Sequence, residues 1–177
     1  KKICIVGGGY IGLEVAAVAV TAGLQVTVLE MEDRILQRVT TPEMSEYYHE
    51  LHEGRGVTIR VNTGVSGFQG DGHISTVLCG DEKIDADLVI VGIGIIPNTE
   101  LAEAAGLDCN NGITVDDHCR TSDPHIYAAG DCTNHPNPIM GRRLRLESVP
   151  NAMEQARVSV SNMLGGDKAY ASVPWFW

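Results

Sequence analysis

The chain has 177 residues, 44% of them hydrophobic and 20% charged, the balance of a folded globular protein and not of a disordered one. Its 13 Lys and Arg against 23 Asp and Glu leave a formal net charge of -10, a field that repels phosphate polymers and anionic lipid surfaces and so excludes nucleic acid and membrane as expected partners. The cysteines, Cys4, Cys79, Cys109, Cys119 and Cys132, are scattered singly with no C-x-x-C pair and no metal-ligand spacing, which predicts a reducing, cytoplasmic setting and no bound metal.

Residues 3–20 (ICIVGGGYIGLEVAAVAV) follow Lys1 and Lys2 as the apolar region of a secretory leader would. Against that reading, Glu14 interrupts the run, and glycines weaken a helix by roughly 1 kcal/mol each. A membrane span fails as well, because a bilayer needs about 20 unbroken apolar residues. The stretch reads instead as a buried parallel strand over residues 3–6, a G-x-G-x-x-G turn at Gly7, Gly9 and Gly12, and a helix over residues 10–21 ended by Gly23. In such a turn the first glycine permits the tight bend, the second lets a pyrophosphate approach the backbone, and the third lets the helix lie close to the strand. A second strand over residues 25–29 ends at Glu30, about 20 residues after the glycines, where an acidic side chain accepts from the adenosine ribose. Glu32 and Asp33 add negative charge that a 2′-phosphate would meet, so NAD is favoured over NADP, with Arg34 the nearby residue able to soften that preference.

Farther along, a helix is expected over residues 43–54, with Pro42 before it and Gly56 after it. His49 and His52 share that helix with Glu50 and Glu53 and read as a solvated face, not a metal site. A strand over residues 57–61 leads into a small antiparallel meander whose hairpin signal is Asp71-Gly72. Residues 88–91 (LVIV) return to a buried parallel strand and run into a second glycine turn over residues 92–98, at the strand end where open α/β sheets place ligands. A short helix over residues 99–105 and the loop Asn110-Asn111-Gly112 follow. Beyond them come strands over residues 113–116 and 126–129, the latter ending at Gly130-Asp131, and a helix over residues 150–164. The expected fold class is α/β: a Rossmann-like parallel sheet with helices and an inserted antiparallel β-meander over residues 1–112, followed by part of a second α/β domain over residues 113–177.

Three segments in this order, residues 6–16 (VGGGYIGLEVA), 86–101 (ADLVIVGIGIIPNTEL) and 121–132 (TSDPHIYAAGDC), resemble the FAD-dependent pyridine-nucleotide oxidoreductases that share the glutathione reductase fold. Residues 34–57 (RILQRVTTPEMSEYYHELHEGRGV), 147–157 (ESVPNAMEQAR) and the terminal VPWFW are most similar to the ferredoxin, rubredoxin and putidaredoxin reductases of oxygenase systems. The resemblance implies an NAD domain, then the returning half of an FAD domain, in a fragment lacking an N-terminal FAD segment and a C-terminal interface domain.

It further implies that Gly7, Gly9 and Gly12 hold the NADH pyrophosphate, Glu30 the adenosine ribose, Glu14 the nicotinamide carboxamide and Gly94 the nicotinamide ribose. Asp131 would bond the FAD ribityl chain, or cap a helix, with Glu147, Ser148 and Val149 near the flavin ring. The implied reaction passes hydride from NADH to FAD and then single electrons to an iron-sulfur protein, docked on a basic patch of Arg142, Arg143, Arg145 and Arg157. Trp175, Phe176 and Trp177 would lie on the side where electrons leave. Alternatives on the same fold are an NADH oxidase, a nitrite reductase flavin module, an apoptosis-inducing-factor-like oxidoreductase, or, for the chain alone, a non-catalytic NAD-binding module without diaphorase activity.

Overall fold

A computed structural model describes residues 1–174. The aromatic cluster at residues 175–177 lies outside the described residues. The backbone divides into two compact units, Lys1–Gly94 and the residues from Ile95 onward.

The first unit is built on a four-stranded parallel sheet in the order β3-β2-β1-β7, with β1 at Lys2–Val6, β2 at Gln25–Leu29, β3 at Val57–Arg60 and β7 at Leu88–Val91. The continuous apolar runs arise because both sheet faces are covered. Ile3 and Ile5 of β1 point into one core with Leu13, Ala16 and Ala19 of helix α1 (Tyr10–Thr21), while Cys4 between them points into another with Leu29, Val77 and Ala86. That second face is covered by an antiparallel meander of β4 (Gly67–Gly70), β5 (Ile74–Cys79) and β6 (Glu82–Asp85), with the expected hairpin between the first two. Helix α2 (Pro42–Glu53) takes Pro42 into its first turn, where a missing N–H goes unused.

The second unit holds α3 (Glu100–Ala104), a three-stranded sheet of β8 (Ile113–Thr114), β9 (Thr133–Asn137) and β10 (Arg142–Leu144), and helix α4 (Val149–Met163). Here three sequence expectations are corrected. Residues 126–129 form no strand: Tyr127 makes a single bridge to Arg120, and Thr121 turns the chain by taking the Ile126 carbonyl on both its N–H and its hydroxyl. The strand of the sheet is β9, whose buried side chains are mostly polar and so carry no apolar signal. The strand over residues 113–116 is cut to Ile113–Thr114, because the Asp116 carboxylate accepts the N–H groups of His118 and Arg120 and bends the backbone. Asp131 caps no helix; it opens the turn into β9. Helix α4 begins where expected and is capped by Ser148, whose side chain accepts from the Asn151 N–H. Among the described residues no helix is long and apolar enough to cross a membrane.

Candidate functional site

Strand β1 pairs with β2 on one side and β7 on the other, so successive crossovers leave the sheet centre in opposite directions at β1. Such a switch point opens a crevice at the carboxyl ends of the strands. Val6 is in register with Leu29 of β2 and Val91 of β7, which places Gly7, Glu30 and Gly92 side by side one residue beyond the sheet. The Gly7 N–H donates to the Leu29 carbonyl and the Gly92 N–H to the Val6 carbonyl, both at 2.8 Å.

The glycines divide by what surrounds them. Gly7 adopts φ 108°, and a Cβ there would meet the Gly92 carbonyl oxygen at 2.3 Å; a Cβ on Gly12 would meet the Gly7 carbonyl oxygen at 2.0 Å. Those two glycines are required by packing between protein segments. At Gly9 a Cβ would meet nothing within 4 Å. Space left open there fits the approach of a ligand. Gly9 is also the N-cap of α1 with no side-chain cap, the kind of helix start that receives phosphate.

Glu30 is fixed by two backbone amides: Oε2 accepts from the Gly8 N–H at 2.8 Å and Oε1 from the Glu32 N–H at 3.0 Å. The acid expected at the ribose thus also anchors the glycine turn. Arg34 is not at the disposal of a 2′-phosphate, because its guanidinium donates to Thr40 O at 3.1 Å, Ser45 Oγ at 2.6 Å and Gln37 O at 3.1 Å. Glu14 is exposed on α1, and Gly94 follows β7 at φ 95°. Arg38, which sequence reading passed over, lies beside that turn, its Nη1 3.9 Å from where a Cβ of Gly94 would stand.

In the second unit, Asp131 and Glu147 are joined through Arg145. Its Nη1 donates to the Asp131 carbonyl at 3.2 Å, its Nη2 pairs with Glu147 Oε1 at 2.9 Å, and its Nε donates to Asn111 Oδ1 at 3.2 Å. The buried Gln155 of α4 adds a second tie, its Oε1 accepting from the Gly130 N–H at 2.7 Å and from Thr133 Oγ1 at 2.8 Å. Val149, 58% exposed, starts the same helix. Of the four arginines expected to form a docking patch, Arg143 and Arg145 are engaged within the unit: Arg143 donates to the Asn134 side chain and to the backbone carbonyls of Val115 and Asn134. Arg142 and Arg157 are exposed, as Arg143 also is in part despite these bonds. Spacing along the sequence carries no sign of these ties.

All five cysteines are free, and burial pushes the Cys4 thiol up to about 11, well away from a reactive thiolate. On α2, His49 pairs with Glu53 at 3.4 Å, as a solvated face does. The described group compact enough to share a cation, Asp116, Asp117 and His118, is an exposed turn whose side chains bond one another and the backbone.

A parallel sheet with a glycine turn, an uncapped helix start and an acid at the end of the neighbouring strand defines a dinucleotide-binding protein. Residues 1–156 match the family described as pyridine nucleotide-disulphide oxidoreductase, and the chain belongs to that family. It is 48% identical over 181 residues to putidaredoxin reductase CamA of Pseudomonas putida, an alignment covering 100% of this chain and 43% of that protein. Among solved structures it is similar to a ferredoxin reductase from Rhodopseudomonas palustris, with a TM-score of 0.94 at 42% identity over 100% of this chain and 44% of that one. It is equally similar to the reductase of the covalent putidaredoxin reductase–putidaredoxin complex, with a TM-score of 0.94 at 48% identity over 99% of this chain and 43% of that one. The chain therefore spans less than half the length of these relatives.

Proposed function

We propose that this chain is the NADH-binding part, with a portion of the flavin site, of a reductase that passes hydride from NADH to FAD and then electrons to a ferredoxin- or rubredoxin-type iron-sulfur protein of an oxygenase system. The observation that carries it is the crevice at β1, where Gly9 alone of the motif glycines has open space beside it and Glu30 stands one strand away. Residues 1–112 then form the NAD domain and residues 113–177 the returning half of an FAD domain. In this reading Gly7, Gly9 and Gly12 shape the pyrophosphate seat, and Glu30 accepts from the adenosine ribose. Glu14 meets the nicotinamide carboxamide, and Gly94 lets the nicotinamide ribose lie against the backbone. NAD is preferred to NADP because Glu30, Glu32 and Asp33 oppose a 2′-phosphate while Arg34 is bonded elsewhere.

Asp131 takes the ribityl chain, with Glu147 and Val149 at the ring; Arg145 and Gln155 hold those segments in place. FAD supplies the capacity to accept hydride and release electrons singly, and the protein supplies position and electrostatics. The solved covalent complex joins that relative to putidaredoxin, which supports an electron-carrier protein as the partner here. For this chain, exposed Arg142 and Arg157 are the cations offered to an acidic partner, while Arg143 and Arg145 are bonded within the unit. Singly scattered, free cysteines support a reducing, cytoplasmic setting for it.

Calorimetric titration of the chain with NADH, NADPH and FAD tests the assignment. NADH binding more tightly than NADPH is expected. FAD binding to the first unit in place of NADH would overturn it.

A further inference from the structure

Gly8, the middle residue of the glycine turn, is held from both sides. Its N–H donates to Glu30 at 2.8 Å, and its carbonyl accepts from the Leu36 N–H at 2.9 Å. Ile35, fully buried, fills the space beside it, 2.7 Å from where a Cβ of Gly8 would stand. To reach that carbonyl Leu36 takes φ 55°, the left-handed region, which costs a non-glycine residue about 1–2 kcal/mol. Such a conformation persists only where its surroundings over-determine it.

Those surroundings converge on Arg34 and Ser45. Ser45, 2% exposed on α2, donates its hydroxyl to the Ile35 carbonyl at 2.6 Å and accepts from Arg34 Nη1 at 2.6 Å. The rest of the guanidinium closes the loop on itself through Thr40 O and Gln37 O, and the Leu36 carbonyl accepts the N–H groups of Val39 and Thr40 at 3.0 and 3.1 Å. A chain of bonds thus runs from a buried serine, through the Ile35-Leu36 peptides, to the Gly8 carbonyl.

We infer that residues 34–40 form a clasp that sets the Gly8-Gly9 peptide for pyrophosphate, with Arg34 and Ser45 as positioning residues for dinucleotide affinity and cofactor choice; this rests on the dinucleotide reading above. The physical link is the planarity of the peptide group, in which C=O and N–H point opposite ways. Holding the Gly8 carbonyl toward Leu36 turns the Gly9 N–H to the other side, the side away from the clasp. The same bonds restrain Arg34, which if released would be a cation beside Glu30 and Glu32 able to meet a 2′-phosphate.

The test titrates the 177-residue chain and its Ser45→Ala, Arg34→Met and Arg34→Lys variants with NADH and NADPH, at a temperature where circular dichroism shows each one folded. Ser45→Ala and Arg34→Met should each weaken NADH about tenfold, as loss of a charge-assisted bond does, with Arg34→Lys in between. Ser45→Ala, which loosens Arg34, should also narrow the NADH over NADPH preference, whereas Arg34→Met, which removes the cation, should not. A purely structural role would move melting temperature and leave that ratio alone. NADH affinities within about twofold of the parent in all three variants would overturn the clasp. Failure of the parent chain to bind either dinucleotide would instead overturn the site itself, and the clasp with it. Ser45→Ala is the mildest change and decides the matter if Arg34→Met does not fold.

Discussion

Alanine at Gly9 and alanine at Gly12 should fail for different reasons, although both glycines belong to one motif. Gly9 has φ -83° and ψ -173°, extended backbone that any residue adopts, and its Cβ would meet no atom within 4 Å. Replacing a glycine in such a place stiffens the unfolded chain and stabilises by about 0.4–1 kcal/mol. As the N-cap of α1, however, alanine is poorer than glycine by about 0.5–1 kcal/mol. The terms nearly cancel, so Gly9→Ala should move Tm by no more than about 4 °C in a chain of this size. Its effect falls on binding: a methyl group set against the pyrophosphate should raise the Kd for NADH by at least about tenfold.

Gly12→Ala puts a Cβ 2.0 Å from the Gly7 carbonyl oxygen, where backbone must shift. Overpacking of that kind costs about 1–3 kcal/mol, or about 2–12 °C in Tm, before any ligand is added. Thermal melts and calorimetric titrations of both variants separate the cases. If Gly9→Ala binds NADH as the parent does, the pyrophosphate does not pass over Gly9; if it unfolds like Gly12→Ala, the space beside it is not open.

Three further outcomes are expected. Glu30→Ala frees the Gly8 and Glu32 amides and removes a negative charge, so parallel titrations should show NADH weakened about tenfold and the preference over NADPH reduced. Gln155→Leu strands one buried donor, the Gly130 N–H, while the Thr133 hydroxyl keeps the Gly130 carbonyl as acceptor, and it should lower stability in urea by about 1–3 kcal/mol with an unchanged m value. His135, 1% exposed, is held below the usual imidazole range by burial and by the nearby Arg143, and its ring nitrogens have no hydrogen-bond partner among the described residues. The unfolded chain protonates this histidine below about pH 6.5 while the folded one resists, so its contribution is complete above that pH and is lost as pH falls toward the lowered folded value. The stability curve of His135→Leu should decline less steeply than the parent's over that window; parallel curves would show that His135 titrates alike in both states.

The first unit was legible in the sequence because its cohesion comes from apolar burial and backbone geometry, both of which leave local marks. Residues 3–6 and 25–29 read as buried strands since their side chains enter two cores alternately, whereas edge strand 88–91 lends only Val89 and Ile90 to those cores and leaves Leu88 and Val91 exposed, a departure from the buried strand expected there. Gly7 read as a tight turn and Gly12 as a close approach, and a Cβ at either would meet backbone, at 2.3 and 2.0 Å. What stayed hidden there is the clasp. Arg34 appeared as a charge near Glu30, and nothing in its neighbours announces that a serine eleven positions on would hold it inward at 2.6 Å.

The second unit follows a different rule, which is why its strands were misplaced. Helix α4 buries Asn151, Gln155, Ser159 and Asn162 together with Val158, and β9 buries Thr133, Asn134, His135 and Asn137. Apolar Ile126 and Ala128 drew the strand assignment, yet the sheet forms where Thr133 can bond Gln155, a pairing 22 positions apart. A polar interior must satisfy its groups one by one, and each partner is chosen by the fold and not by the neighbouring residues. Arg143 and Arg145 show the same dependence on the fold: a guanidinium counted as surface charge in the sequence has five donors, and Asn134, Val115, Asn111, Asp131 and Glu147 stand where they can accept them. Arg145 ties Asp131 to Glu147 through polar bonds alone, so the segment proposed to face a flavin is positioned by the part of the sequence in which hydrophobic patterning is silent.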